Sequence, residues 1–233
     1  MIVSEYLLFN IFIFAGPFIL GIIPRYYFVN KWPAVFLSII TVGLPFIIWD
    51  IVVTGSHWMF NEKYISGLYI AGLPIEEWLF FITVPFACLY TWEMIIKRKD
   101  SREISIPLIV RISFILPAPA GIILYFYGLQ YTGLVLVFIT MSIALDFFLG
   151  TRLIYQKRFY LFLFYIILFT LIFNGYLTWR PVVTYGELYQ IGFRIFTIPV
   201  EDFFYGISLL YLNTIFYEKF RRIIFSQVEV ATT

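Results

Sequence analysis

Seven apolar stretches alternate with short polar connectors along the chain, each close to the ~20 residues that a helix needs to cross a bilayer. They run at about 4–23, 33–53, 74–96, 106–127, 131–150, 159–178 and 199–218. The predicted fold class is all-α integral membrane with seven transmembrane helices and no room for a separate soluble domain. The fourth stretch is the least regular, because Pro107, Pro117, Pro119 and Arg111 interrupt it.

Composition agrees: 62% of residues are hydrophobic and only 13% charged, far from a soluble globular average. The basic residues give an independent test of the crossing count. With the N-terminus outside, the inner segments hold twelve of the 16 Lys and Arg, the outer segments hold Lys63, Arg180 and Arg194, and Arg111 lies within a helix. That bias fits seven crossings with the N-terminus outside and the C-terminus cytoplasmic. The net charge of only +2 makes no case for a nucleic-acid partner. Glu5 stands where a cleaved signal peptide would carry positive charge. The single Cys88 can form no intrachain disulfide and reads as packing.

One phrase occurs twice. Leu73-Pro74-Ile75-Glu76-Glu77-Trp78 opens the third stretch, and Ile198-Pro199-Val200-Glu201-Asp202-Phe203 opens the seventh. Adding 125 carries Pro74 to Pro199, Glu76 to Glu201, Glu77 to Asp202, Glu93 to Glu218 and Lys97 to Arg222. Earlier elements follow with small shifts: Arg25 and Lys31 map to Arg152 and Arg158, and Asp50 approaches Asn174. The predicted organisation is a three-helix repeat over 1–100, a connecting helix over 101–129, a second three-helix repeat over 130–225 and a tail over 226–233. An odd connecting helix returns the chain to its starting side, so the repeats run parallel about an axis along the membrane normal.

Ionisable groups carried into hydrocarbon mark a functional site by default. Pro74 and Pro199 suit a first helical turn, which leaves capping and dipole complementarity as the plain alternative for the acids. Successive helical residues point about 100° apart, so one acid of each pair is expected to face a shared cavity and the other to support it. Desolvation and like-charge repulsion favour a neutral carboxylic acid in such a space, and a helix N-terminus opposes that. Glu76 and Glu201 are expected to carry the proton-transfer roles, with Glu77 and Asp202 as partners.

Trp49, Trp78, Phe80, Phe81, Phe203, Phe204 and Tyr205 surround these acids in sequence and are candidates to contact substrate, together with Asp50 and Asn174. Aromatic faces tolerate cations and pack against unsaturated chains, although 28 Phe and 18 Tyr put rings near any motif. Glu93 lies 17 residues past Glu76, roughly 25 Å along a helix. With Lys97 four residues on, and Glu218 followed likewise by Arg222, it reads as a structural ion pair. Asp146 and Arg111 are expected to pair in the membrane.

One His and no Cys cluster make a metal site improbable. The chain carries no glycine-rich dinucleotide fingerprint and no aspartate-rich diphosphate motif. All six Lys fall in loops or at helix ends, so no lysine stands ready for a retinal Schiff base.

At the repeated Pro-x-Glu-(Glu/Asp)-aromatic motif the chain resembles the membrane-integral lycopene cyclases, in their fused two-repeat form and over nearly its whole length. The resemblance implies redox-neutral cyclisation of lycopene or a similar linear carotenoid to γ- and β-carotene in the membrane lipid, with no cofactor. Asp50 becoming Asn174 departs from equivalence of the halves. Other terpene cyclases, a carotenoid hydratase and a small proton-coupled transporter fit the same acids. Ring type, action on one or both ends, and assembly into a homo-oligomer stay open.

Overall fold

The computed structural model describes residues 4–23, 27–98 and 102–231, with side chains to residue 225. Arg25 of the sequence analysis lies outside the described residues. Among the described residues the chain is mostly helical, and six helical segments are long and apolar enough to cross a membrane: Glu5–Ile22, Val29–Val53, Ile75–Ile96, Leu108–Phe126, Gln130–Phe148 and Lys157–Trp179. The first three contain α1 (Glu5–Ile22), α2 (Trp32–Val53) and α3 (Ile75–Ile96). The fourth is broken into α4 (Leu108–Ser113) and α5 (Pro117–Phe126), because Pro117 and Pro119 interrupt helical bonding. The fifth is α6 (Gln130–Phe148), and the sixth comprises α7 (Lys157–Phe169), a π turn (Thr170–Asn174) and α8 (Gly175–Trp179).

The last helix, α9 (Val200–Ala231), has 32 residues, so the expected tail begins as a continuation of it. It is not among the six. Its apolar run is diluted by Glu201, Asp202, Asn213 and Glu218, all buried, and it packs chiefly against α2 and α6.

The connectors are not purely irregular, as an all-α reading expects. Among the described residues, three two-stranded ribbons cap the bundle: β1 (Trp58–Phe60) with β4 (Val183–Tyr185), β2 (Tyr69–Ile70) with β3 (Leu73–Pro74), and β5 (Arg194–Ile195) with β6 (Ile198–Pro199). Each strand of the first half has a partner 125 residues on. The left-handed residues Ala71 and Phe196, and Tyr27 and Arg152, keep the same spacing. The early elements therefore follow the 125-residue register without the shift expected from Arg25 and Arg152.

β1 and β4 pair antiparallel, Trp58 opposite Tyr185 and Phe60 opposite Val183. The ribbon joins the two halves across the end of the bundle at which α3 and α9 begin. Gly186 makes the close approach possible: a Cβ there would sit 2.6 Å from the Ser56 carbonyl oxygen.

At the opposite end the halves exchange hydrogen bonds. Trp92 Nε1 donates to Glu218 at 2.8 Å, and Tyr217, 125 residues past Trp92, donates to Glu93 at 2.5 Å. Arg221 bridges both carboxylates, at 3.4 Å to Glu93 and 2.8 Å to Glu218. Glu218 thus pairs with Arg221 rather than Arg222, whose guanidinium donates to the Gly150 carbonyl. Arg221 and Glu218 share α9, and it is the reach of the same guanidinium to Glu93 that ties α9 to α3.

The expected Asp146–Arg111 pair is absent. Asp146 is fully buried and accepts from Thr151, from the Leu153 and Ile154 amides and from Tyr211. Arg111 is exposed.

Candidate active site

Pro74 and Pro199 stand immediately before α3 and α9, in extended backbone, rather than in the first turn. The first helical amides are taken by the preceding loops, Ile75 by the Leu68 carbonyl and Val200 by the Phe193 carbonyl. The carboxyls that follow bond mainly to other elements, which favours a shared site over simple capping of their own helices.

Glu76 is fully buried and accepts from the Ser4 hydroxyl and the Ser66 amide, each at 2.6 Å. Glu201, 1% exposed, accepts from the Thr132 hydroxyl at 2.6 Å and the Ile191 amide at 2.9 Å. Both therefore fasten a connector to a helix start, and neither lines the cavity described next.

Glu77 and Asp202 point the other way, into an apolar cavity of about 330 Å³ beneath the β1–β4 ribbon. Asp50 joins them there. The inward member of each pair is thus the second one, not the first as the sequence analysis expects. The 100° step between neighbours on a helix permits either choice. The connectors decide it by placing the Ser66 and Ile191 amides over Glu76 and Glu201.

The surroundings of the two inward acids differ. Glu77 accepts one short hydrogen bond, from Tyr6. Asp202 accepts three: from Tyr131 at 2.7 Å, Tyr185 at 2.6 Å and the Asn174 amide at 2.5 Å. Asp50 takes the Trp58 indole N–H at 2.5 Å and leaves its second oxygen unpartnered. Tyr185 lies outside the spanning segments, and burial, reinforced by the Asp202 charge, pushes its pKa up, so it stays a phenol that donates.

Asn174 reaches Asp202 from the end of the π turn. Such turns re-phase a helix and recur at functional sites. Strict register would set Trp49 opposite Asn174, yet it is Asp50 that faces the cavity from α2.

Among the candidate substrate residues, Asp50, Phe80, Phe81, Asn174 and Tyr205 line the cavity. Trp49 packs against His57, and Trp78 turns out to donate to the Ile70 carbonyl. Phe203 is buried away from the cavity and Phe204 is 39% exposed. Sequence reasoning missed Tyr6, Trp58, Phe60, Tyr131 and Tyr185, all lining residues. The signal was available, since Tyr6 and Tyr131, Phe60 and Tyr185, and Phe80 and Tyr205 are each 125 apart. Cys88 lines the lower part of the same space.

Among the described residues, no Lys, Arg or His lines the cavity. Three carboxyl groups share an aromatic space with no balancing cation, an arrangement suited to holding and moving a proton and to meeting a transient cation with ring faces.

This combination defines a multi-pass membrane protein with an acid-bearing apolar cavity. The family model described as Lycopene cyclase matches residues 4–95 and 113–220, well over half of the chain, and the protein belongs to that family. It is accordingly a cyclase of carotenoid biosynthesis. No curated protein and no solved structure matches the chain.

Proposed function

We propose that the enzyme closes the linear ends of lycopene to β-rings by a redox-neutral relay between Glu77 and Asp202. The observation that carries this reading is the opening of both acids, with Asp50, onto one aromatic cavity. Hydrogen bonds to a carboxylate stabilise its charged form. Asp202, with three donors, is held as the anion; Glu77, with one, keeps the proton.

Glu77 gives its proton to the terminal double bond, leaving a tertiary cation. The neighbouring double bond attacks that carbon and closes a six-membered ring, which moves the positive charge onto a ring carbon. Asp202 then takes a proton from the adjacent carbon, leaving the ring alkene. No hydrogen or electron is gained or lost overall, so no redox partner enters. The proton returns to Glu77 within the carboxyl trio, for which Asp50 is the third member. Phe80, Phe81 and Tyr205 face the cation from the walls.

Glu76 and Glu201 position their neighbours by fixing the connectors. Seven crossings, with α9 as the last, and two parallel repeats joined by α4 and α5 complete the reading, with the N-terminus outside. The 12-to-3 distribution of basic residues supports that orientation.

The test is expression of Glu77→Gln and Asp202→Asn separately in cells that accumulate lycopene, followed by pigment analysis. Both variants should leave the cells red, with each carboxyl worth on the order of 10²- to 10³-fold in rate. Undiminished formation of cyclised pigment by both removes these groups from the mechanism.

A further inference from the structure

The cavity is deep and closed at both ends. On α3 its lining runs from Glu77 to Thr91, fourteen residues or roughly 21 Å of helix rise. The β1–β4 ribbon covers the outer end. Below the lining, Trp92 is fully buried, and the Glu93–Arg221–Glu218 cluster ties α3 to α9. A long polyene that enters with one end at the acids therefore has no axial way out for its other end.

One side wall is different. α1 and the α7–α8 segment meet near the outer end, where Phe9 packs on Phe173 and Tyr176 and where Glu5 binds Arg180 at 2.8 Å. Further in, the lining passes from Phe12 and Pro17 on α1 to Ile166, Phe169 and Thr170 on the facing segment. Phe12 lines the cavity and is also 73% exposed. A side chain that borders both the lumen and the outside marks an opening. It lies at a depth where the outside is hydrocarbon.

We propose that this gap between α1 and α7 is the port through which a linear polyene enters from the bilayer, and that its unreacted half stays there, in lipid, during ring closure. The inference rests on the cyclase reading and deepens it. Both repeat-related acids serve one cavity, so a substrate with two reactive ends presents them in separate binding events. A product with one ring is released between the two.

The experiment uses purified full-length enzyme in liposomes loaded with isotope-labelled lycopene, chased with unlabelled γ-carotene. Label should stall in the one-ring product as the chase is raised. The second arm compares Phe12→Trp with Thr170→Trp, on opposite sides of the gap, using lycopene and a short acyclic terpene with the same terminal unit. Each variant should raise KM for lycopene about tenfold, the scale of one misfitted apolar contact, and raise that for the short substrate by less. Phe12 is so exposed that its variant should fold even if Thr170→Trp does not. Label passing into two-ring product unaffected by the chase, or equal effects on long and short substrates, overturns the inference alone. Absence of any cyclised product overturns the cyclase reading and this inference with it.

Discussion

The two halves of this protein present the same side-chain positions to one cavity but dress them differently. Glu77, Tyr6, Phe60 and Phe80 from the first half correspond to Asp202, Tyr131, Tyr185 and Tyr205 from the second, each 125 residues apart and all lining the cavity. The first half is poorer in donors. Phe60 offers no hydroxyl where Tyr185 donates to Asp202, and α2 contributes Asp50 where the α7–α8 segment contributes Asn174. On the proposed mechanism, the differing donor sets divide the labour between the two carboxyls. A symmetric pair would hold a proton without directing its transfer.

The strongest way to break this comparison is to neutralise one acid at a time. Glu77→Gln is expected to lower ring formation by on the order of 10³-fold and Asp202→Asn by on the order of 10²-fold, read as initial rates in membranes. Equal losses would contradict a division into donor and acceptor. Asn174→Asp tests the same point by setting an unneutralised acid against Asp202. A loss of about tenfold is expected, with protein yield unchanged, and no loss would mean that the amide is not needed there.

Phe60→Tyr sharpens the comparison by giving the first half the phenol of the second. If the new hydroxyl reaches Glu77, one added hydrogen bond of about 1 kcal/mol favours its anion and slows ring formation roughly fivefold. The mirror change, Tyr185→Phe, should produce a loss of similar size by weakening the acceptor. A faster enzyme in either case would reverse the assigned roles. The smallest expected effect is structural: Gly186→Ala should lower stability by about 1–3 kcal/mol through the clash with the Ser56 carbonyl. Thermal unfolding in detergent would register it, and an unchanged transition would mean that the ribbon yields.

Much of this was legible in the sequence. The apolar runs located the helices, since bilayer thickness sets their length, and the repeated Pro-x-Glu-(Glu/Asp) phrase located the acids. What it left unreadable was rotation. Whether Glu76 or Glu77 faces inward depends on which one the Ser66 amide covers, and that follows from how the connector folds back over α3. Trp78 and Phe204 were plausible by proximity alone, yet neighbouring positions on a helix face different ways. The register itself held the missing information for Tyr6 and Tyr131, but only a pairing of each tyrosine with an acid gives that spacing a meaning. Asp146 misled because a carboxyl in a membrane helix invites a search for arginine, while hydroxyls and free amides near a helix end satisfy it equally well.

The β1–β4 ribbon has an evolutionary corollary. Each half supplies a single strand, and a lone strand has nothing to bond to. The roof over the cavity is therefore common property, and neither half can close its own chamber. Were the chain cut in the α4–α5 link, the ribbon is the seam along which the two pieces would have to find each other again.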